Sequence, residues 1–205
     1  VRDFIRRLRI SKTNDNYCYA VCTAGDTVGE AMDIFEADLA AVGIKTDSCI
    51  SLLMPESYVG LPFMDVDKAE AECRKKTEAD RRLQDFIADI KCRKAGIRYI
   101  TVGRWPRINS RLIGEAFTKW IIGDRPFRVD VETCIKCGKC AAVCPVGDIS
   151  IKKGCTPQWK HNGKCLSCFA CYHHCPTRAI EYGGRTKGKG QYYYEKNEKT
   201  IISKA

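Results

Sequence analysis

The sequence predicts a mixed chain: an α/β part built on a parallel sheet, a linker helix, and then a small α+β unit ordered by cysteines. Three observations predict it. Between residues 17 and 93, short apolar runs rich in strand formers alternate with longer segments of helical periodicity. Nine of the 14 cysteines fall between Cys134 and Cys175. The run that begins at Cys134 returns 31 residues later at Cys165. A chain of 205 residues has room for two compact units. With 44% hydrophobic and 29% charged residues it has ordinary globular usage, which excludes a disordered or collagen-like chain.

The chain opens on Val1, Phe4, Ile5 and Leu8, spaced like the end of an amphipathic helix, and the expectation is that the true N-terminus lies upstream. From Tyr17 to Cys22 the run is short and apolar and ends in the turn-prone Thr23-Ala24-Gly25-Asp26, the pattern of a buried strand. Val28, Ala31, Met32, Phe35 and Leu39 then recur at helical spacing, with Gly43 placed to close the helix. A second strand runs from Cys49 to Met54, stopped by Pro55, and strand, helix and strand in this order make a right-handed parallel crossover. Leu83, Phe86, Ile87 and Ile90 mark the buried stripe of a long helix from about residue 67 to 93. Two parallel strands cannot cover both their faces, so further strands are expected from sequence ahead of Val1. Residues 97 to 109, with Arg98, Arg104, Arg107, Trp105 and Pro106, read as a connector. A helix from Ser110 to Ile122 follows, its apolar face expected to pack between the domains. The expected segments are a partial α/β domain over 1–96, a linker with an amphipathic helix over 97–125, a cysteine-rich domain over 126–190 and a tail over 191–205.

No apolar run reaches the 18 or so residues that a membrane span needs. Lys and Arg number 35 against 25 Asp and Glu, a net charge of +10. In residues 126–205 the counts are 14 basic and 6 acidic, so +8 of that excess lies in the cysteine-rich part. Eight thiolates holding two cubane clusters would remove about two charges per site and lower this to roughly +4. Under that condition much of the basic charge would offset the clusters, and a specific nucleic-acid partner is not expected.

Both cysteine runs, Cys134-Ile-Lys-Cys-Gly-Lys-Cys-Ala-Ala-Val-Cys-Pro145 and Cys165-Leu-Ser-Cys-Phe-Ala-Cys-Tyr-His-His-Cys-Pro176, have the form Cys-x2-Cys-x2-Cys-x3-Cys-Pro. Thiols this close cannot close ordinary disulfide loops. Zinc motifs place two cysteine pairs a dozen or more residues apart, not four thiols in eleven residues and twice over. A radical S-adenosylmethionine loop fails because Gly25 stands where a third thiol would follow Cys18 and Cys22. Cys18, Cys22 and Cys49 read as core residues, Cys155 as unpartnered, and His173 and His174 as solvated. Nothing near either run offers a general base, a nucleophile or an open metal position, so no catalytic residue is assigned.

The stretch from Cys134 to Tyr182 resembles the bacterial-type ferredoxins that hold two 4Fe-4S clusters. The resemblance implies crossed ligation: Cys134, Cys137, Cys140 and Cys175 hold one cluster, and Cys165, Cys168, Cys171 and Cys144 hold the other. The longer order of half-sheet, linker helix and ferredoxin resembles the flavodoxin-ferredoxin fusion proteins of anaerobes. Thr23-Ala24-Gly25-Asp26 and Met54-Pro55-Glu56-Ser57-Tyr58 carry that likeness. It implies that the first domain is the C-terminal half of a flavodoxin-like parallel sheet, with Thr23, Gly25 and Tyr58 near FMN. Backbone amides of a phosphate-cradling loop that would precede Val1 supply most FMN affinity in that family, so FMN is expected only in a longer form. The function so implied is single-electron transfer through two 4Fe-4S clusters, to or from a redox partner protein or a flavin. The alternative is a flavin-dependent reductase of a small molecule, fed by the clusters. Exposed clusters and reduced thiols imply a reducing cytoplasm.

Overall fold

Alternating small and branched residues produce β1 (Tyr19–Ala24), and the run Ser-Cys-Ile-Ser-Leu-Leu produces β2 (Ser48–Leu53). The computed structural model describes residues 1–10, 16–194 and 196. A third strand, β3 (Ile97–Tyr99), joins them in a parallel sheet of order β1-β2-β3. Tyr19 pairs with Ser48 and Ala24 with Leu53 across the first ladder, and Ser48 with Ile97 across the second. The helices around this sheet are α1 (Arg2–Arg7), α2 (Ala31–Ala40) and α3 (Ala69–Lys91).

β2 is central and buried on both faces. Ile50 and Leu52 pack on Ala79 and Phe86 of α3, while Cys49 joins Ala20 and Met32 of α2 on the opposite face. Its two buried serines are satisfied: Ser48 Oγ lies 2.8 Å from Tyr17 Oη, and Ser51 Oγ accepts the Thr101 N–H at 2.7 Å. Gly43 closes α2 as expected, in the left-handed region at φ 78°. Two expectations change. β1 lies at the sheet edge with Tyr19 and Val21 exposed, so it is half-buried rather than buried. Residue 97 begins a strand and not a connector; β3 is only three residues long, and its central Arg98 turns outward to Asp33 and Glu36, which hides the strand pattern. A π-helical turn over Ile108–Ile113 continues as α4 (Gly114–Trp120), where Leu112 and Trp120 of the expected apolar face are exposed.

The chain divides into two units, Val1–Glu56 with Lys68–Ala116, and Ser57–Asp67 with everything from Phe117 onward. These limits do not coincide with the segments 1–96, 97–125, 126–190 and 191–205. The loop between β2 and α3 belongs with the cysteine-rich unit, and β3 belongs with the sheet.

In the second unit β4 (Phe127–Val129) pairs antiparallel with β7 (Ile180–Tyr182), and β5 (Ile149–Ser150) with β6 (Gln158–Trp159). Two one-turn helices, α5 (Lys139–Ala142) and α6 (Ala170–His173), lie 31 residues apart, so the sequence repeat is also a structural one. The strands are short and the core is largely aromatic. Phe127 contacts Trp159, Phe169 and Tyr182, with ring centroids 5.2, 5.5 and 4.7 Å away.

Phe86 is fully buried in the first unit and meets Tyr19 edge-on. Phe86→Ala is expected to cost about 3–5 kcal/mol, read as a lowered urea midpoint in circular dichroism.

Candidate metal centre

Each cysteine run, with the turn that follows it, curls because three residues take left-handed backbone conformations. In the first copy these are Lys136, Gly138 and Gly147, at φ 57, 75 and 59°; in the second they are Ser167, Phe169 and Arg178, at φ 46, 58 and 56°. The three pairs are related by the same 31-residue offset, so the two loops share one backbone path. Glycine takes such a φ freely, whereas phenylalanine at Phe169 does so at a cost of about 1–2 kcal/mol. Burial offsets that cost: the Phe169 ring is 1% exposed and packed between Tyr58, Phe127 and Tyr182.

The curled loops form two hollows of similar size, each with a cavity volume of about 20 Å³. The first is lined by Cys134, Cys137, Cys140 and, from the other copy, Cys175. The second is lined by Cys165, Cys168, Cys171 and, again from the other copy, Cys144. The structure thus groups the eight sequence-predicted cysteines into two quartets, each with one member contributed across the repeat. The fourth cysteine of each run sits just beyond its one-turn helix, where the chain turns away from its own loop toward the other. There its sulfur accepts the amide of the residue four positions on: Ala179 N–H to Cys175 Sγ at 3.2 Å, and Asp148 N–H to Cys144 Sγ at 3.3 Å. Ser167 N–H likewise points at Cys165 Sγ at 3.4 Å. Apolar neighbours complete the walls, Ile135, Ile151 and Pro157 around the first and Phe127, Trp159 and Phe169 around the second.

Burial pushes up the thiols of Cys140, Cys165 and Cys171; at Cys165 the carboxylates of Asp148 and Asp124 add to it. All 14 cysteines are unbridged, and Cys155 is exposed. Among the described residues, no three or more His, Cys, Asp or Glu side chains gather closely enough to hold a single metal ion.

The loop Ser57–Asp67 closes over the second unit's core. Val59 is fully buried there, Lys189 Nζ donates to the Val59 carbonyl at 3.0 Å, and Gly190 N–H donates to Asp65 Oδ1 at 2.9 Å. His173 fastens the loop's start. Its Nδ1 accepts the Tyr192 N–H at 3.2 Å, so the proton sits on Nε2, which donates to the Ser57 carbonyl at 2.7 Å. Burial pushes the ring down to about 4, which keeps it neutral near pH 7. A solvated role for His173 is therefore replaced by a buried, structural one.

The three residues that the sequence resemblance placed near FMN are not gathered in one unit. Thr23 and Gly25 lie at the end of β1 in the first unit, where Gly25 receives a 2.9 Å hydrogen bond on its carbonyl from Lys75 Nζ. Tyr58 belongs to the second, its ring against Phe117 and Phe169 at 5.7 and 5.3 Å.

Sequence reasoning missed a buried acidic pair beside the second hollow. Asp148, 1% exposed, lines it, and Asp124, 4% exposed, lies alongside. Asp124 accepts the His161 N–H at 2.8 Å and the His161 ring Nδ1–H at 3.1 Å. Comparing the two copies position by position would have exposed Asp148, since it falls where the second copy has Ala179.

A family model for the 4Fe-4S dicluster domain matches residues 127–198. That stretch is a ferredoxin-type dicluster domain. No curated protein and no solved structure matches the chain. The whole is accordingly a mixed α/β protein with a parallel sheet and a C-terminal dicluster domain, which points to iron-sulfur electron transfer. Among the described residues no helix is long and apolar enough to cross a membrane.

Burial pushes Asp124 up, but the hydrogen bonds from His161 outweigh it and hold the carboxyl below its ordinary value of 3.8. The stability it contributes is complete at neutral pH and is lost only as pH falls below that value. Asp124→Asn is expected to lower the urea midpoint at pH 7 and to leave less of it to lose on acidification, read by circular dichroism.

Proposed function

We propose that the dicluster domain carries single electrons through two 4Fe-4S clusters held in crossed fashion, one by Cys134, Cys137, Cys140 and Cys175, the other by Cys165, Cys168, Cys171 and Cys144. The observation that carries this reading is the sorting of eight thiols into two hollows, each with three walls from one repeat and a fourth from the other. When bound, such a cluster accepts and releases one electron without making or breaking a bond to a substrate.

The residues fit the group. Each hollow is lined by four thiols, the number a 4Fe-4S cluster takes, and not by the two well-separated cysteine pairs usual for zinc. The buried thiols of Cys140 and Cys171 and the half-buried thiol of Cys165 are costly to ionise, and a cationic core in the hollow would supply the counter-charge their thiolate forms require. The backbone amides of Ala179, Asp148 and Ser167 aim at sulfur, where they stabilise the added electron. Ile135 and Leu166, 62% and 55% exposed, lie at the rims and give each hollow a short apolar path to the surface. The partner of such a rim is another redox protein or a flavin, and the setting is a reducing cytoplasm.

For the first unit, the sequential parallel order β1-β2-β3 supports reading it as part of a flavodoxin-like sheet, the fusion that the sequence resembles. A flavin near Thr23, Gly25 and Tyr58 rests on the sequence resemblance alone, and no step is routed through FMN. No observation favours a small-molecule reductase.

Anaerobic reconstitution is expected to give about eight iron and eight sulfide per chain without zinc. Cys144→Ala should leave about four iron. Adding Cys168→Ala should cost nothing further, because both serve one cluster, whereas adding Cys137→Ala should remove the rest. Iron analysis with electron paramagnetic resonance of the reduced protein reads each outcome. Full loss on pairing Cys144→Ala with Cys168→Ala would contradict the crossed assignment.

A further inference from the structure

The two hollows share one backbone path, so whatever distinguishes them lies in side chains at repeat-equivalent positions. Three such positions in the hollow walls differ in charge. Lys136 and Lys139 line the first hollow, and their equivalents in the second copy are Ser167 and Ala170. Asp148 lines the second hollow, and its equivalent, Ala179, lines the first. Among the described residues, the first hollow therefore has two cationic residues in its wall and no acid, and the second has one acid and no cation.

We propose that this charge pattern splits the two reduction potentials, so that the first electron to enter the domain comes to rest on the cluster of Cys134, Cys137, Cys140 and Cys175. This rests on the ligand assignment proposed above. Reduction takes one electron from a low-potential donor, lowers the cluster core from 2+ to 1+ and adds one negative charge, with no proton or bond involved. Nearby ammonium groups favour that added charge, and a buried carboxylate opposes it.

The amide donors do not separate the sites. Ala179 N–H to Cys175 and Asp148 N–H to Cys144 are equivalent bonds of nearly equal length, so backbone polarity is close to balanced. Asp130 and Glu132 ahead of the first run and Lys164 ahead of the second are farther out, solvent-exposed and line neither hollow. Their effect is the more strongly screened. Lys160, exposed and also outside the lining, donates to the Gly147 carbonyl at 2.6 Å and offsets part of the Asp148 charge. Asp148 is almost fully buried, and both its carboxylate oxygens lack a hydrogen-bond partner among the described residues. Burial and the adjacent Asp124 push its pKa up, which weakens its ionised form. The lysine pair keeps the sign of the difference whichever form Asp148 takes.

The test is voltammetry of the fully loaded protein, with each step confirmed by electron paramagnetic resonance during dithionite titration. Two one-electron steps are expected, drawing together as ionic strength rises. The double variant Lys136→Ser, Lys139→Ala installs the residues of the other copy at two exposed positions. It should shift the more positive step to lower potential and leave the other in place. Asp148→Ala, which installs the equivalent residue at the buried position, should shift only the more negative step, and upward. Coincident steps in the unmodified protein, or a lysine variant that moves the more negative step, overturn the split. Iron is counted first: fewer than about eight per chain overturns the ligand assignment and the split together, whereas a full complement with coincident steps overturns the split alone.

Discussion

The dicluster domain depends on a handover. Each cysteine run wraps three thiols around its own hollow and passes its fourth to the other, so neither hollow is complete without both copies. With strands of two or three residues and helices of one turn, little regular secondary structure remains to hold the unit together. Two things replace it. The aromatic cluster of Phe127, Trp159, Phe169 and Tyr182 supplies large apolar surfaces at low entropic cost, and the left-handed turns at equivalent positions keep the two paths superimposable. Phe169 joins the two, because a strained backbone position is held there by a ring that the core encloses.

The loop Ser57–Asp67 extends this logic. It leaves the chain between a strand and a helix of the parallel sheet yet contributes Val59 and Tyr58 to the cysteine-rich core. Neutral His173 fixes its beginning and Lys189 its middle, through backbone carbonyls that a short irregular segment would otherwise leave without partners. The metal-binding repeat is thus supported by a piece of chain more than 60 residues upstream in sequence.

The cysteine pattern was legible because ligand spacing is local: eight sulfurs at fixed offsets need no knowledge of the rest of the fold. The parallel crossover was legible for the same reason, since β1, α2, β2 and α3 each carry their own periodicity. What escaped is what depends on distant partners. β3 was hidden because Arg98, a charge in the middle of three residues, is accommodated by Asp33 and Glu36 of α2, distant in sequence. His173 looked like a surface residue because its two partners, Ser57 and Tyr192, lie far along the chain on either side. Asp148 was visible as a letter but not as a buried one.

An iron-edge anomalous difference map from anaerobically grown crystals tests the handover most directly. Two compact iron densities are expected, one bounded by the sulfurs of Cys134, Cys137, Cys140 and Cys175 and the other by those of Cys165, Cys168, Cys171 and Cys144. A single density, or two densities in which Cys144 and Cys175 each bind the metal of their own run, would contradict it.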